Sequence, residues 1–108
     1  MSDYFSSRGY EIDCAEEMEE AEAMLSLNRY DVVIVDLRLG AIFAAEGFEI
    51  SRNVRHQRPH IRTILFTAYG SPDVETEAFL HGADSFLQKP QPLSELARVV
   101  DELTRVVA

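Results

Sequence analysis

The run Asp31–Asp36, DVVIVD, constrains this chain most. Val32 to Val35 are four consecutive β-branched apolar residues. A strand with one wet face would alternate, so an unbroken run fits a strand buried on both faces, as in a parallel sheet. Its neighbours follow the same logic. Residues 3–8 read as a helix end closed by Gly9. Tyr10–Cys14 alternates as a short strand. Ala15 to Asn28 is helical, with Ala15, Met18, Ala21 and Leu25 on one face. After Asp36, a loop over Leu37–Ala45 leads to a helix over Glu46–Gln57, bounded by Pro59. Arg62–Thr67 is a second buried strand, followed by a turn over Tyr69–Asp73 and a helix over Pro72–His81 ended by Gly82. Asp84–Gln88 is a third core strand, and Pro92–Val107 a long final helix. Alternating strands and helices with short loops predict an α/β fold, a parallel sheet between two helical layers.

At 108 residues the chain is one domain. Nineteen acidic against ten basic residues give a net charge of −9. That excludes a free-standing nucleic-acid binder, which needs a basic face, and disfavours an anionic membrane surface. The longest apolar run, Ala41–Ala45, is far short of the roughly 20 residues that span a bilayer. No signal peptide is evident. The lone Cys14 has no disulfide partner within the chain, so a cytoplasmic setting is expected. Residues 1–31 hold nine acids and two bases. Glu16, Glu17, Glu19, Glu20 and Glu22 read as a solvated helix face, with a cation site or acidic docking face as the alternative.

In open parallel sheets, ligands gather at the carboxyl ends of the strands. Asp36, Thr67 and Lys89 each stand at such an end. A carboxylate, a hydroxyl and an ammonium there suit phosphoryl handling. The aspartate can attack phosphorus, the threonine can donate a hydrogen bond, and the lysine can neutralise the added charge.

DVVIVDLRL, TILFTAYG and GADSFLQKP are similar to the three signature blocks of response-regulator receiver domains, in order and at the right separations. The resemblance covers essentially the whole chain. It implies a flavodoxin-like (CheY-like) three-layer sandwich. It implies that Asp36 accepts a phosphoryl group from a sensor histidine kinase or phosphotransfer protein. Thr67 would bind that group, the small Ala68 would let its loop approach, and Lys89 would pair with the added charge. Lys89–Pro90 matches a cis peptide, and Phe86 an aromatic switch position, although Phe86 also reads as an ordinary half-buried strand residue. The switched surface would comprise the fourth helix, last strand and last helix, and would bind a downstream protein. The final helix carries Leu96, Val100, Leu103 and Val107 on one stripe. Val99 and Val106 widen it, either into the core or toward a partner or second subunit.

The sequence departs from the family in two places. MSDYFSSRGYEID matches only the end of the first helix and the next strand. The first central strand and its acidic pair are unmatched, so residues 1–9 read as a remnant of the first helix. Mg²⁺ is the ion the resemblance implies, and of its shell only Asp36 and the Arg38 carbonyl are matched. Asp13, Glu16 and Glu17 do not match the pair. Weak or absent metal-dependent labelling is expected. Tyr10–Cys14 then has three fates: direct pairing with Val32–Val35, strand exchange in a dimer, or a start that lies upstream of Met1. The second departure is the path LRLGAIFAAEGFEI after Asp36, which lacks the usual proline. Ala41–Ala45 either begins the following helix or forms an apolar flap beside the site.

The leading function is thus a phosphoacceptor receiver module. The alternative is a degenerate or truncated receiver that binds partners without phosphorylation. An aspartate-nucleophile phosphatase is disfavoured, because Arg38 stands where its proton-donating acid belongs.

Overall fold

A computed structural model describes residues 2–13, 15, 18–37, 41–68 and 70–104, with the side chains of 2, 3, 18, 36, 37 and 41–46 outside the description. The elements in chain order are α1 (Ser2–Ser7), α2 (Met18–Leu27), β1 (Val32–Leu37), α3 (Ala41–Gln57), β2 (Arg62–Thr67), α4 (Pro72–Leu80), β3 (Ser85–Gln88) and α5 (Leu93–Thr104). The described strands form one parallel sheet of three, ordered β1-β2-β3.

Side-chain alternation along β2 organises the layers. Ile64 and Phe66 point to one face, where they join Phe5 of α1 and Leu96, Ala97, Val99 and Val100 of α5. Leu65 points to the other, against Val35, Ala78 of α4 and Ala83. Leu25 of α2 packs beside Val54 of α3 and Ile61. The chain is therefore a three-layer α/β sandwich. Ile64 and Leu65 are 0% exposed, as expected for the middle strand covered on both faces.

Two expectations need correcting, and alternatives left open at Ala41–Ala45 and Val99 resolve. Tyr10–Asp13 forms no strand, and Cys14 lies outside the described residues. The alternation is there, with Tyr10 and Ile12 packed on the α1–α5 cluster. A strand also needs a neighbour to bond, and Tyr10 N–H instead donates to the Phe5 carbonyl at 3.1 Å. The segment over Ala41–Ala45 is helical: α3 starts at Ala41 rather than Glu46. No proline interrupts this alanine-rich stretch, and alanine has the highest helix propensity. Of the two alternatives for Val99, the core holds: it is buried among the α1–α5 residues; Val106 and Val107 lie outside the described residues.

Local chemistry fixes the connections. Ser71 caps α4 by accepting from Val74 N–H at 3.2 Å, and Pro72 follows in the first turn. Asp84 ties the end of α4 to β2: its Oδ2 accepts from Thr63 N–H at 2.9 Å, and its Oδ1 lies 3.4 Å from Arg62 and 3.9 Å from Arg55. Gly82 turns the chain at φ +90°, where a Cβ would sit 2.8 Å from Arg55 Cβ. Gly82→Ala therefore meets both a left-handed backbone and a close contact. A loss of about 1–2 kcal/mol is expected from the backbone alone, read as a lower urea midpoint. An unchanged midpoint would contradict this.

Two phenols hold the N-terminal segment. Tyr10 donates to the Asp101 carboxylate of α5, and Tyr30 donates to Asp13 at 2.6 Å. Each bond favours the neutral phenol, so each hydroxyl's pKa is raised, first by its carboxylate partner and then by desolvation. A raised folded-state pKa gives stability that is whole below the unfolded value, near 10, and is lost as pH rises through the folded value. The urea midpoint should fall above about pH 10, and the Tyr10→Phe, Tyr30→Phe double variant should flatten that fall. An equally steep fall in the variant would rule out these two groups.

Candidate functional site

The parallel register aligns Leu37 with Thr67, and Thr67 with Gln88. Asp36, Thr67 and Lys89 accordingly come from three adjacent strands at one edge of the sheet. Asp36 is the penultimate residue of β1, paired with Phe66; its side chain, and all of Arg38, lie outside the described residues. Thr67 ends β2 and is 2% exposed. Ala68 follows it, exposed.

Lys89 stands one residue beyond β3. Its N–H donates to the Thr67 carbonyl at 2.6 Å, extending the ladder and setting the two residues side by side. Its Nζ lies 5.1 Å from the centre of the Phe66 ring. A ring face attracts an ammonium, so Phe66 holds the lysine head over the end of β2. The Lys89–Pro90 peptide is cis. Phe86 is half-buried two residues inside β3, opposite Leu65, and packs on the cluster that contains Ala78 and Ala83.

Three contributors escaped the sequence reading. Phe66 read only as core. Gln88 and Gly70 form a latch: Gln88 Nε2 donates to the Gly70 carbonyl at 3.4 Å, and a Cβ on Gly70 would meet the Gln88 side chain at 3.1 Å. This contact draws the loop after Ala68 onto the end of β3. The available signal was a glycine three residues past Thr67 and a polar residue closing a core strand.

Among the described residues, no group of three His, Cys, Asp or Glu side chains is placed to hold a metal. The two positions matched to a Mg²⁺ shell, the Asp36 side chain and Arg38, lie outside the described residues, and no step below is routed through the ion. Among the same residues, no helix is long and apolar enough to cross a membrane.

The family model for the response regulator receiver domain matches residues 1–101. The chain is 33% identical over 82 residues to the alginate biosynthesis transcriptional regulatory protein AlgB of Pseudomonas aeruginosa, covering 76% of this chain and 18% of that protein. It is 30% identical over 100 residues to the transcriptional regulatory protein TcrA of Mycobacterium tuberculosis, covering 93% and 38%. The chain thus spans well under half the length of these relatives. Among solved structures, the response regulator TrrA of Thermotoga maritima in complex with Mg²⁺ and BeF superposes with a TM-score of 0.77 at 30% identity, covering 94% of this chain and 84% of that one. The chemotaxis protein CheY4 of Vibrio cholerae gives 0.81 at 28% identity, covering 94% and 84%.

Proposed function

Because the chain belongs to the response regulator receiver domain family, we propose that it is a phosphoacceptor module that takes a phosphoryl group on Asp36 from a histidine kinase or phosphotransfer protein. The observation that carries this reading is the register that sets the ends of β1, β2 and β3 side by side. A carboxylate oxygen of Asp36 forms the new P–O bond as the donor's P–N bond breaks, and the departing imidazole nitrogen takes a proton. The module is the acceptor in this transfer, not an enzyme that turns over a substrate.

The phosphoryl group brings roughly −1.5 to −2 charge. The Thr67 hydroxyl donates to one of its oxygens, and the Lys89 ammonium pairs with its charge. Lys89 is bonded through its backbone to Thr67, so both respond together. Movement at the end of β2 passes to Phe86 and to the surface of α4, β3 and α5, which shifts between two populations and changes its affinity for a downstream protein.

Phosphoramidate, a small donor with a P–N bond, tests the reading. The expected product carries one phosphoryl group, labile to hydroxylamine as an acyl phosphate is, and mapping to Asp36. A label on a histidine or serine would refute it. A chain that takes no label yet binds a partner would instead be a phosphorylation-independent module.

A further inference from the structure

The eleven residues Arg52–Arg62 hold four arginines and two histidines, and no acid occurs between Glu49 and Asp73. In a chain of net charge −9 this stretch is a basic island, +4 with both histidines neutral. The fold gives it one address. Each crossover helix of a parallel sheet runs back to the amino edge of the next strand. The ends of α2, α3 and α4 therefore lie at the edge opposite Thr67 and Lys89, just before β1, β2 and β3. Arg58 ties two of these ends together, its Nε donating to the Leu25 carbonyl at 3.1 Å.

A groove of about 430 Å³ opens between α3 and α4 at this edge. Arg52, Arg55 and His56 line one side, and Phe79, Leu80 and His81 the other. Among the described residues, the side chains of Arg52 and His56 make no ion pair. Asp84 accepts from Thr63 N–H at 2.9 Å and lies 3.4 Å from Arg62, so Arg55, at 3.9 Å, is its loosest partner. The carbonyl end of α3 accounts for Arg55 and His56 in its last turn, where cations favour the macrodipole. It does not account for Arg52, a turn earlier, or His60, beyond the helix. The apolar side is also uncovered: Phe79 is 49% and Leu80 74% exposed.

We propose that this groove docks an acidic amphipathic helix of another protein, with its carboxylates on Arg52, Arg55 and His56 and its apolar side chains on Phe79 and Leu80. Charge selects the acidic partner, since cations without partners gain most from carboxylates brought to them. Spacing selects a helix. Arg52 and His56 stand four residues apart, about 6 Å along α3, which matches glutamates four apart on a helix laid alongside. Glu49, a turn before Arg52, lines the adjoining hollow and bounds the cationic stretch at that end. A nucleic acid fits less well, because it needs a longer basic surface and meets the net charge of −9. The groove lies at the opposite edge from Thr67 and Lys89, so the proposal stands apart from phosphoryl transfer to Asp36.

The probe is an end-blocked peptide of about fifteen glutamate, alanine and leucine residues, with its glutamates four apart beside a row of leucines. Titrated into the 108-residue chain, it should shift the amide resonances of Arg52–Arg62 and Phe79–Ala83. Binding should weaken as salt rises from about 0.01 M to about 0.15 M. The same peptide with glutamine in place of glutamate should not bind. Arg52→Glu should weaken binding about tenfold or more at an unchanged urea midpoint, because Arg52 is exposed. Arg98→Glu in α5 changes the net charge equally and should leave binding as in the wild type. Equal binding by the Arg52→Glu chain, an equal loss in Arg98→Glu, shifts confined to other residues, or no binding at all would overturn the proposal. So would self-association of the wild-type chain through these residues, or an oligonucleotide that binds them as tightly as the peptide does.

Discussion

Replacing Lys89 with methionine leaves the chain folded and slows phosphoryl labelling of Asp36 by about a hundredfold to a thousandfold. That is the usual cost of removing one group aimed at developing charge, about 2.7–4 kcal/mol. Methionine keeps much of the aliphatic bulk and removes the ammonium. In the unmodified chain the ammonium rests 5.1 Å from the Phe66 ring, a contact worth about 0.5–1 kcal/mol. An ammonium and a phosphoryl oxygen about 4 Å apart attract by about 4 kcal/mol per charge pair at an effective dielectric of about 20. A phosphoryl oxygen therefore attracts the ammonium more strongly than the ring does. Initial labelling rates, read by intact mass beside matched urea curves, check the result. Wild-type rates in the methionine variant would remove Lys89 from the site.

Leu65→Ala should cost about 3–5 kcal/mol, the upper range for truncating a buried leucine. Leu65 is 0% exposed in the middle of the central strand. It packs with Val35, Ala78 and Ala83, and with the flanking Val33, Phe48 and Phe86. Two alanines in that set cannot spread to fill the space a missing isobutyl group leaves. A domain has only about 5–15 kcal/mol of total stability, so the variant approaches the unfolding threshold. The urea midpoint should drop with the slope unchanged. A loss below about 1 kcal/mol would mean that the site collapses around the deletion.

Much of this arrangement could be read in the residues. DVVIVD, TILFT and SFLQ carry their strand character in consecutive apolar positions, and Gly82 and Pro72 mark the turns between them. Asp36, Thr67 and Lys89 follow from those strand ends, since a parallel sheet brings its carboxyl ends to one edge. Tyr10–Asp13 was misread because alternation reports a local preference, while a strand exists only beside a bonded neighbour. Ala41–Ala45 left helix and loop both open, because an apolar run without a cap or a proline does not show where a helix starts. Val99 lies at the margin of the final helix's apolar stripe, and sequence alone does not say how wide the surface beneath that stripe is. The Lys89–Phe66 contact and the Gln88–Gly70 latch were not readable, since both depend on the register of β2 against β3.

The central claim is that Asp36 is the phosphoacceptor. Side-by-side incubation of the wild-type chain and Asp36→Asn with phosphoramidate, followed by intact mass over a long time course, tests it most directly. Both proteins should give superimposable urea curves. The wild type should gain a single phosphoryl group slowly and incompletely, and Asp36→Asn should gain none. Equal gain in both chains, or no gain in the wild type after prolonged incubation, would contradict the account.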